Sequence, residues 1–186
     1  MASKVAIANA ALIKIGASTI TSLAEDSEAA RLANARFDDA LDAVLRAHPW
    51  NCATARATLT ALAGAPNFGF AYQHVLPTDP FCLRVLAENN GYPYRVEGRR
   101  MLCDSTPVEI TYVMRVTDVN LLDGLCREAL AAYLARELAY PLAGSAALAD
   151  RMAAEFENRI RQAQRIDAGE GTPAAQAEGS WVLNRH

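Results

Sequence analysis

The chain is divided by its hydrophobic periodicity into two helical ends and a middle segment with a different pattern. At both ends, apolar residues recur every three or four positions, which is typical of one buried face of a helix. Four helices are therefore expected, over residues 4–15, 28–47, 121–140 and 146–166. The helix over 121–140 is apolar on nearly all sides, so either its own domain or neighbouring chains must cover it.

Residues of the right type stand where these helices should begin and end. Short polar side chains favour helix N-termini, whereas glycine and proline favour helix ends. The expected caps are Ser3, Asp26 or Ser27, Asn120 and Ser145. The expected terminators are Gly16, Pro49, Pro141 and Gly144.

The middle segment is richer in proline, glycine and aromatic residues and contains short alternating runs. Such runs between turn residues predict strands of an antiparallel sheet. The predicted strands are residues 53–59, 72–76, 82–86, 94–97, 100–102 and 108–116. Gly98 and Arg99 separate two of these runs and predict a tight hairpin.

The predicted fold class is α+β, a four-helix bundle with an inserted small antiparallel β subdomain and an extended C-terminal tail. Residues 1–50 and 118–167 form the bundle in this prediction, and residues 51–117 form the β subdomain. Residues 168–186 form an extended C-terminal docking tail in the same prediction.

The tail has an unusual composition. Residues 168–179 are small or polar and lack large apolar side chains, so they cannot contribute a core. A Trp181-Val182-Leu183 cluster and Arg185 follow. Tryptophan and arginine are favoured interface anchors, so one interpretation is docking onto a partner. The other is a tryptophan that folds back onto its own domain.

Charge and cysteine content exclude several classes of protein. A chain of 186 residues buries roughly 70% of its unfolded surface and needs no metal or disulfide to fold. Its net charge of −3 provides no bulk attraction to nucleic acid or anionic membranes. Four cysteines lack the paired spacing of a zinc or redox site, so free, buried thiols are expected. They are Cys52, Cys82, Cys103 and Cys126.

No signal-peptide pattern is present, and no apolar run approaches the roughly 18 residues of a membrane span. A soluble protein made in a cytoplasm is therefore expected. His48, His74 and His186 are isolated and suit structural or solvated roles. Asp38 and Asp42 lie one turn apart on the exposed face of a helix and need no catalytic explanation. We therefore predict no enzyme, no cofactor and no metal site.

Arg95, Arg99 and Arg100 cluster on the predicted hairpin. They could contact an acidic partner surface or a DNA backbone. The alternative is an edge hairpin that charge keeps soluble.

An ordered set of segments, rather than any one motif, carries a resemblance that covers essentially the whole chain. The segments are Ile15-Gly16-Ala17, residues 20–26, Ala47-His48-Pro49-Trp50-Asn51, residues 71–79, Val96-Glu97-Gly98-Arg99, residues 108–112, residues 128–142 and Ser180-Trp181. This set resembles the tail tubular protein A family of tailed phages. Members of that family are head–tail connectors, or adaptors, that bind beneath the portal.

The resemblance implies a ring, usually a dodecamer, of helical bundles around a DNA channel, with the β subdomain toward the tail. A C-terminal extension of related adaptors docks on the portal, and the matching residues here are Trp181, Val182, Leu183 and Arg185. Inter-subunit contacts are expected at Leu122, Leu125, Tyr133 and Arg136. The tail type, short or long and flexible, is left open.

The implied partners are the portal protein, further neck or tail proteins and other copies of the chain, with DNA only as passing cargo and no membrane. The implied location is the neck of the virion, after assembly in the host bacterial cytoplasm. Two alternatives stay open. One is a neck stopper or tail terminator of the same particle, and the other is a small helical regulator or enzyme outside the virion.

Overall fold

Each helix begins at a short polar side chain that accepts a hydrogen bond from the backbone N–H three residues later. The computed structural model describes residues 2–170, with side chains through residue 166. The helices are α1 Lys4–Lys14, α2 Glu28–Ala47, α3 Gly124–Ala143 and α4 Ala146–Glu170. Their caps are Ser3, Ser27, Asp123 and Ser145, with oxygen–nitrogen distances of 3.0, 3.2, 2.7 and 3.2 Å.

Helix α3 lies at the centre of the bundle and contacts α1, α2 and α4. Leu130, Leu134 and Leu138 of α3 are fully buried in a core that also contains Phe37 of α2 and Met152 of α4. The three helices of the same chain therefore cover most of the apolar circumference of α3, and Tyr140 near its C-terminal end is exposed. The inter-subunit contacts expected along this helix stay a prediction.

The middle segment forms two three-stranded antiparallel sheets rather than one. The first sheet has the order β1-β6-β3, where β1 is Thr54–Leu59, β6 is Val108–Met114 and β3 is Cys82–Glu88. The second has the order β2-β5-β4, where β2 is Tyr72–Val75, β5 is Arg100–Cys103 and β4 is Tyr94–Glu97. The predicted hairpin is confirmed, since Glu97 pairs with Arg100 and Gly98 has a φ of +56° in the turn.

The two sheets pack face to face around a small second core. Met101 of β5 and Ile110 and Tyr112 of β6 are buried there. Val113, the neighbour of Tyr112, instead joins the core of the bundle together with Leu83 of β3. Because successive side chains of a strand point to opposite faces, the first sheet lies between the bundle and the second sheet.

Two predicted boundaries of α3 were wrong. Asn120 does not cap the helix; it lies in a short 3-10 turn, Val119–Leu121, whose start is capped by Asp118. Asp123 caps α3 instead, because aspartate serves as well as asparagine at this position. Pro141 lies inside the last turn, where its missing N–H costs one bond, and the helix continues until Gly144 with a φ of +62°.

The predicted α+β class is confirmed, with four helices and small antiparallel sheets. The predicted start of the tail at residue 168 was too early, because α4 continues to Glu170. Alanine and glutamate favour helix, and a single glycine at position 169 costs only about 1 kcal/mol. Residues 171–186, and with them the predicted docking residues, lie outside the described part of the chain.

Candidate functional site

The three hairpin arginines do not share one surface, because Arg99 turns back into the protein. Its guanidinium donates to the carbonyl oxygens of Leu76, Pro77 and Cys82 at 3.3, 2.5 and 2.5 Å. It also lies 4.0 Å from the centre of the Phe81 ring. Arg99 therefore holds the hairpin against the start of β3, and its charge is used within the chain.

Arg95 and Arg100 lie on the same, outer face of the second sheet, where Arg95 pairs with Leu102 and Arg100 pairs with Glu97. Arg100 donates to Oε1 of Gln73 at 2.7 Å. Arg95 lies 3.6 Å from Glu97, with 73% and 58% of the two side chains exposed. An ion pair this exposed contributes little, so the guanidinium of Arg95 is accessible to a partner.

A loop covers this outer face and turns it into a cleft of about 300 Å³. The side-chain amide of Gln73 donates to the carbonyl oxygen of Gly64 at 2.7 Å, and the carboxylate of Asp104 accepts from the N–H of Ala71 at 2.8 Å. Between these anchors, the side chain of Phe68 is 87% exposed. An accessible arginine beside an exposed aromatic ring suits a partner surface with carboxylates and apolar groups.

The periodicity of the sequence did not point to Phe68, because it stands alone in a loop between Asn67 and Gly69. One signal could have identified Phe68. It is a large aromatic residue in a turn-rich segment, and no alternating apolar pattern around it predicts a buried strand.

The four residues predicted at inter-subunit contacts all contact their own chain. Leu122 is buried, and Leu125 is half-buried against the same core. The ring of Tyr133 packs edge-on against Phe156 of α4, with centroids 5.1 Å apart. Arg136 lies over the Tyr133 ring at 4.2 Å. The four side chains thus secure α3 within its own bundle, and their role between subunits stays a prediction.

Arg136 also belongs to an ion cluster between α2 and α3. Glu137 accepts from Arg136 at 2.8 Å and from Arg36 of α2 at 2.9 Å. Burial raises the pKa of Glu137, but the hydrogen bonds from Arg136 and Arg36 outweigh it, so the pKa lies below its usual value. This cluster ties two helices together and shows no feature of a catalytic acid.

Large apolar side chains that the sequence did not single out are exposed on the bundle. Ile13 of α1, Leu121 just before α3 and Tyr140 of α3 are 66%, 61% and 67% exposed. A groove of about 560 Å³ between α1 and α3 lies on the same bundle. Half of its lining residues are alanines, and the full set is Ala2, Ala6, Ile7, Ala10, Asn120, Arg127, Glu128 and Ala131.

The aspartates of α2 are individually paired with cations. Asp38 accepts from Lys4 at 2.6 Å, and Asp39 lies 3.6 Å from Arg36. Asp42 accepts from two nitrogens of Arg115, with the Nε contact at 2.8 Å. Within the described residues, no group of three or more His, Cys, Asp or Glu side chains could hold a metal ion.

The two described histidines lie in packed surroundings. The His48 ring contacts Trp50 edge-on at 4.9 Å, and the Trp50 indole donates to the carbonyl oxygen of Val44 at 2.9 Å. His74 is buried between the sheets, with Nδ1 3.4 Å from the carbonyl oxygen of Met101. Both positions suit structural roles.

The predicted portal-docking residues Trp181, Val182, Leu183 and Arg185 lie outside the described range. Among the helices of residues 2–170, none is long and apolar enough to cross a membrane. No family model matches the chain, and a search of curated proteins finds no relative.

Proposed function

We propose that this chain is a structural adaptor of a phage particle, which forms a ring between the portal and the tail and lets DNA pass. The ordered resemblance to the tail tubular protein A family supports this proposal. The architecture agrees with it, because a helical bundle carries an inserted β unit between its second and third helices. The protein then works by assembly rather than by catalysis.

The observation that carries the proposal is the exposure of large apolar side chains on two separate parts of the molecule. Tyr140, Ile13 and Leu121 are more than half exposed on the bundle, and Phe68 is 87% exposed on the β subdomain. The interior is otherwise well filled, with Trp50 fully buried. Exposed large side chains of this kind are suited to anchor an interface, and two such parts suit a protein that joins two partners.

The portal is proposed to bind the C-terminal residues Trp181, Val182, Leu183 and Arg185. In the sequence these residues follow α4, in which Ala163 is the last buried side chain within the range whose side chains are described. A docking segment that follows this helix uses none of the residues that form the core of the bundle.

DNA is proposed to be passing cargo. Helix α4 carries several arginines, but Arg159 lies 4.0 Å from Glu128 and 3.8 Å from Glu155, and Arg161 lies 3.6 Å from Glu157. These carboxylates offset the charge of Arg159 and Arg161. A net charge of −3 also disfavours tight binding, which argues against a regulator that acts by binding DNA.

The test is electron microscopy and co-sedimentation of the full chain mixed with its portal ring. We expect rings bound to the portal, and we expect deletion of residues 171–186 to abolish that binding while circular dichroism and thermal unfolding remain unchanged. Trp181→Ala should weaken binding at least tenfold, as expected for an interface anchor worth about 2 kcal/mol. The matched control is Trp50→Phe, which keeps the tail intact and should leave portal binding unchanged.

Undiminished portal binding by the truncated chain would overturn the docking role of the tail. Ring formation without portal binding by the full chain would favour the neck stopper or tail terminator. A monomer that binds neither the portal nor other copies would overturn the adaptor proposal as a whole.

A further inference from the structure

Two cysteines mark the two crossings between the bundle and the β subdomain, one where the chain leaves the bundle and the other where it returns. Cys52 lies in a 3-10 turn, Asn51–Ala53, directly before β1, and Cys126 lies in the first turn of α3. The carboxylate of Asp123 contacts both residues. Its Oδ2 lies 3.5 Å from Sγ of Cys52, and its Oδ1 accepts from the N–H of Cys126 at 2.7 Å.

The two thiols differ in access and in acidity. Cys52 is half-buried, whereas Cys126 is completely buried. A hydrogen bond from the Cys126 thiol is the main cause that lowers the pKa of Cys52, against the opposing effects of burial and of the Asp123 carboxylate. The same hydrogen bond, together with burial, raises the pKa of Cys126. Cys52 is therefore the thiol that ionises first and that an oxidant in solution can reach.

We propose that Cys52 and Cys126 form a reversible disulfide that closes the base of the β subdomain under oxidising conditions. The contact of both residues with Asp123 brings them together across the two chain crossings. This inference rests on the contacts of both residues with Asp123 and is independent of the adaptor proposal.

The oxidant class is a peroxide, and the steps balance. The Cys52 thiolate attacks one oxygen of hydrogen peroxide, which gives a sulfenic acid and hydroxide. Hydroxide takes the proton of the Cys126 thiol and becomes water. The Cys126 thiolate then attacks the Cys52 sulfur, the S–S bond forms, and hydroxide leaves. The two sulfurs are oxidised by two electrons in total, and the peroxide is reduced.

The first step prepares the second. The pKa of Cys126 is raised mainly because its thiol is hydrogen-bonded to Cys52, which carries the negative charge when it ionises first. Conversion of the Cys52 thiolate into a neutral sulfenic acid removes that charge. Cys126 can then lose its proton more readily, at the sulfur that it must attack.

The disulfide would enclose the entire β subdomain in a loop between residues 52 and 126. Closing a long loop restricts the unfolded chain and so stabilises the folded state. It would also fix the two crossings between bundle and sheets, so the β subdomain would be held more firmly on the bundle.

Cys82 and Cys103 provide matched controls in the same chain. Both are fully buried in the core between the two sheets, and burial raises the pKa of Cys82. Fully buried structural thiols are inert toward oxidants in solution. Neither should form a cross-link.

The experiment treats the full chain with hydrogen peroxide, followed by non-reducing digestion and mass spectrometry. We expect one cross-linked pair of peptides containing Cys52 and Cys126, a loss of about 2 Da and reversal by dithiothreitol. The midpoint of thermal unfolding should rise by roughly 5–15 °C. Cys82→Ser should behave as the parent chain. In Cys126→Ala no cross-link can form, and dimedone should trap a Cys52 sulfenic acid, which should form more slowly because the hydrogen bond that lowers the pKa of Cys52 is lost.

Peptide mapping of the parent chain after peroxide treatment shows whether the Cys52–Cys126 disulfide forms, even if the Cys126→Ala variant does not fold. Over-oxidation of Cys52 without a cross-link would overturn the proposal. Cross-links that involve Cys82 or Cys103 as often as Cys52 and Cys126 would overturn it as well.

Discussion

The bundle and the β subdomain use side-chain polar groups for different purposes. In the bundle, charged side chains join one helix to another, as where Lys14 of α1 contacts Glu155 of α4 at 2.5 Å. In the β subdomain, polar side chains bind backbone groups of loops, as where Arg99 donates to three carbonyl oxygens. Helices satisfy their own backbone, whereas short strands joined by loops leave carbonyl groups that need donors from elsewhere.

The two regions are connected by a stack of side chains. The Phe81 ring lies between Arg99 and Arg115, whose guanidinium carbons are 4.0 and 4.5 Å from its centroid. Arg115 in turn donates to Asp42 of α2. The hairpin is therefore coupled to the bundle through one aromatic ring and two cations, beside the apolar contacts that Leu83 and Val113 of the first sheet make with the bundle core.

The largest expected effect tests whether the two cores open separately. Leu134→Ala leaves a cavity at the centre of the bundle and should cost about 2–5 kcal/mol in the free energy of unfolding. Met101→Ala makes the matched change in the core between the sheets, with a cost of about 2–4 kcal/mol. Amide hydrogen exchange of both variants would measure where protection is lost.

We expect Leu134→Ala to lower protection in helices and strands alike, because the sheets depend on the bundle for their position. Met101→Ala should lower protection mainly in the strands, because the smaller core can open while the bundle stays folded. Equal loss of protection in α3 and β5 in the Met101→Ala variant would show that the molecule opens as one unit.

A smaller effect is expected from the arginine that holds the hairpin. Arg99→Ala removes the bonds to three carbonyl oxygens and the contact with Phe81, so it should cost about 2–3 kcal/mol. Arg95→Ala, four residues away on the same hairpin, should change stability by less than about 0.5 kcal/mol. Urea unfolding followed by circular dichroism measures both, and equal costs would contradict the division of roles between these arginines.

The fold was predictable where local signals agreed. Ser3 and Ser27 precede regular apolar patterns, and α1 and α2 begin where predicted. The start of α3 was missed because Asn120 and Asp123 are both good caps, and the choice depends on how the preceding turn packs. The split into two sheets was missed because the pairing of β2 with β5 joins distant segments.

The candidate site was less predictable, because the spacing of residues in the sequence shows neither where a side chain points nor which distant segments it contacts. Arg99 and Arg100 are adjacent in sequence, yet one turns toward loop carbonyls and the other lies on the outer sheet face. Cys52 and Cys126 are a similar case, since no short spacing marks them and the fold alone brings both to the carboxylate of Asp123. The sequence therefore drew attention to the arginines and cysteines but did not show which groups each of them contacts.

The smallest expected effect concerns the ion pairs that join the helices of the bundle. The hydrogen bond from Lys14 is the main reason that the pKa of Glu155 lies below its usual value. About a quarter of the Glu155 side chain is exposed, so screening by solvent is incomplete. Glu155→Gln should therefore cost about 1 kcal/mol near neutral pH.

The pH dependence of this cost distinguishes an ion pair from packing. A carboxylate whose pKa is lowered by folding stabilises the folded state fully above its unfolded pKa of about 4.3, and this contribution is lost as the pH falls through the lower folded value. The difference between parent and Glu155→Gln should thus be constant above about pH 5 and shrink steadily below it. Glu157→Gln, which alters the more exposed pair with Arg161, should cost less than about 0.5 kcal/mol at neutral pH. Urea unfolding at several pH values measures both variants, and an unchanged Glu155→Gln cost in acid would mean that Glu155 stabilises the bundle through packing alone.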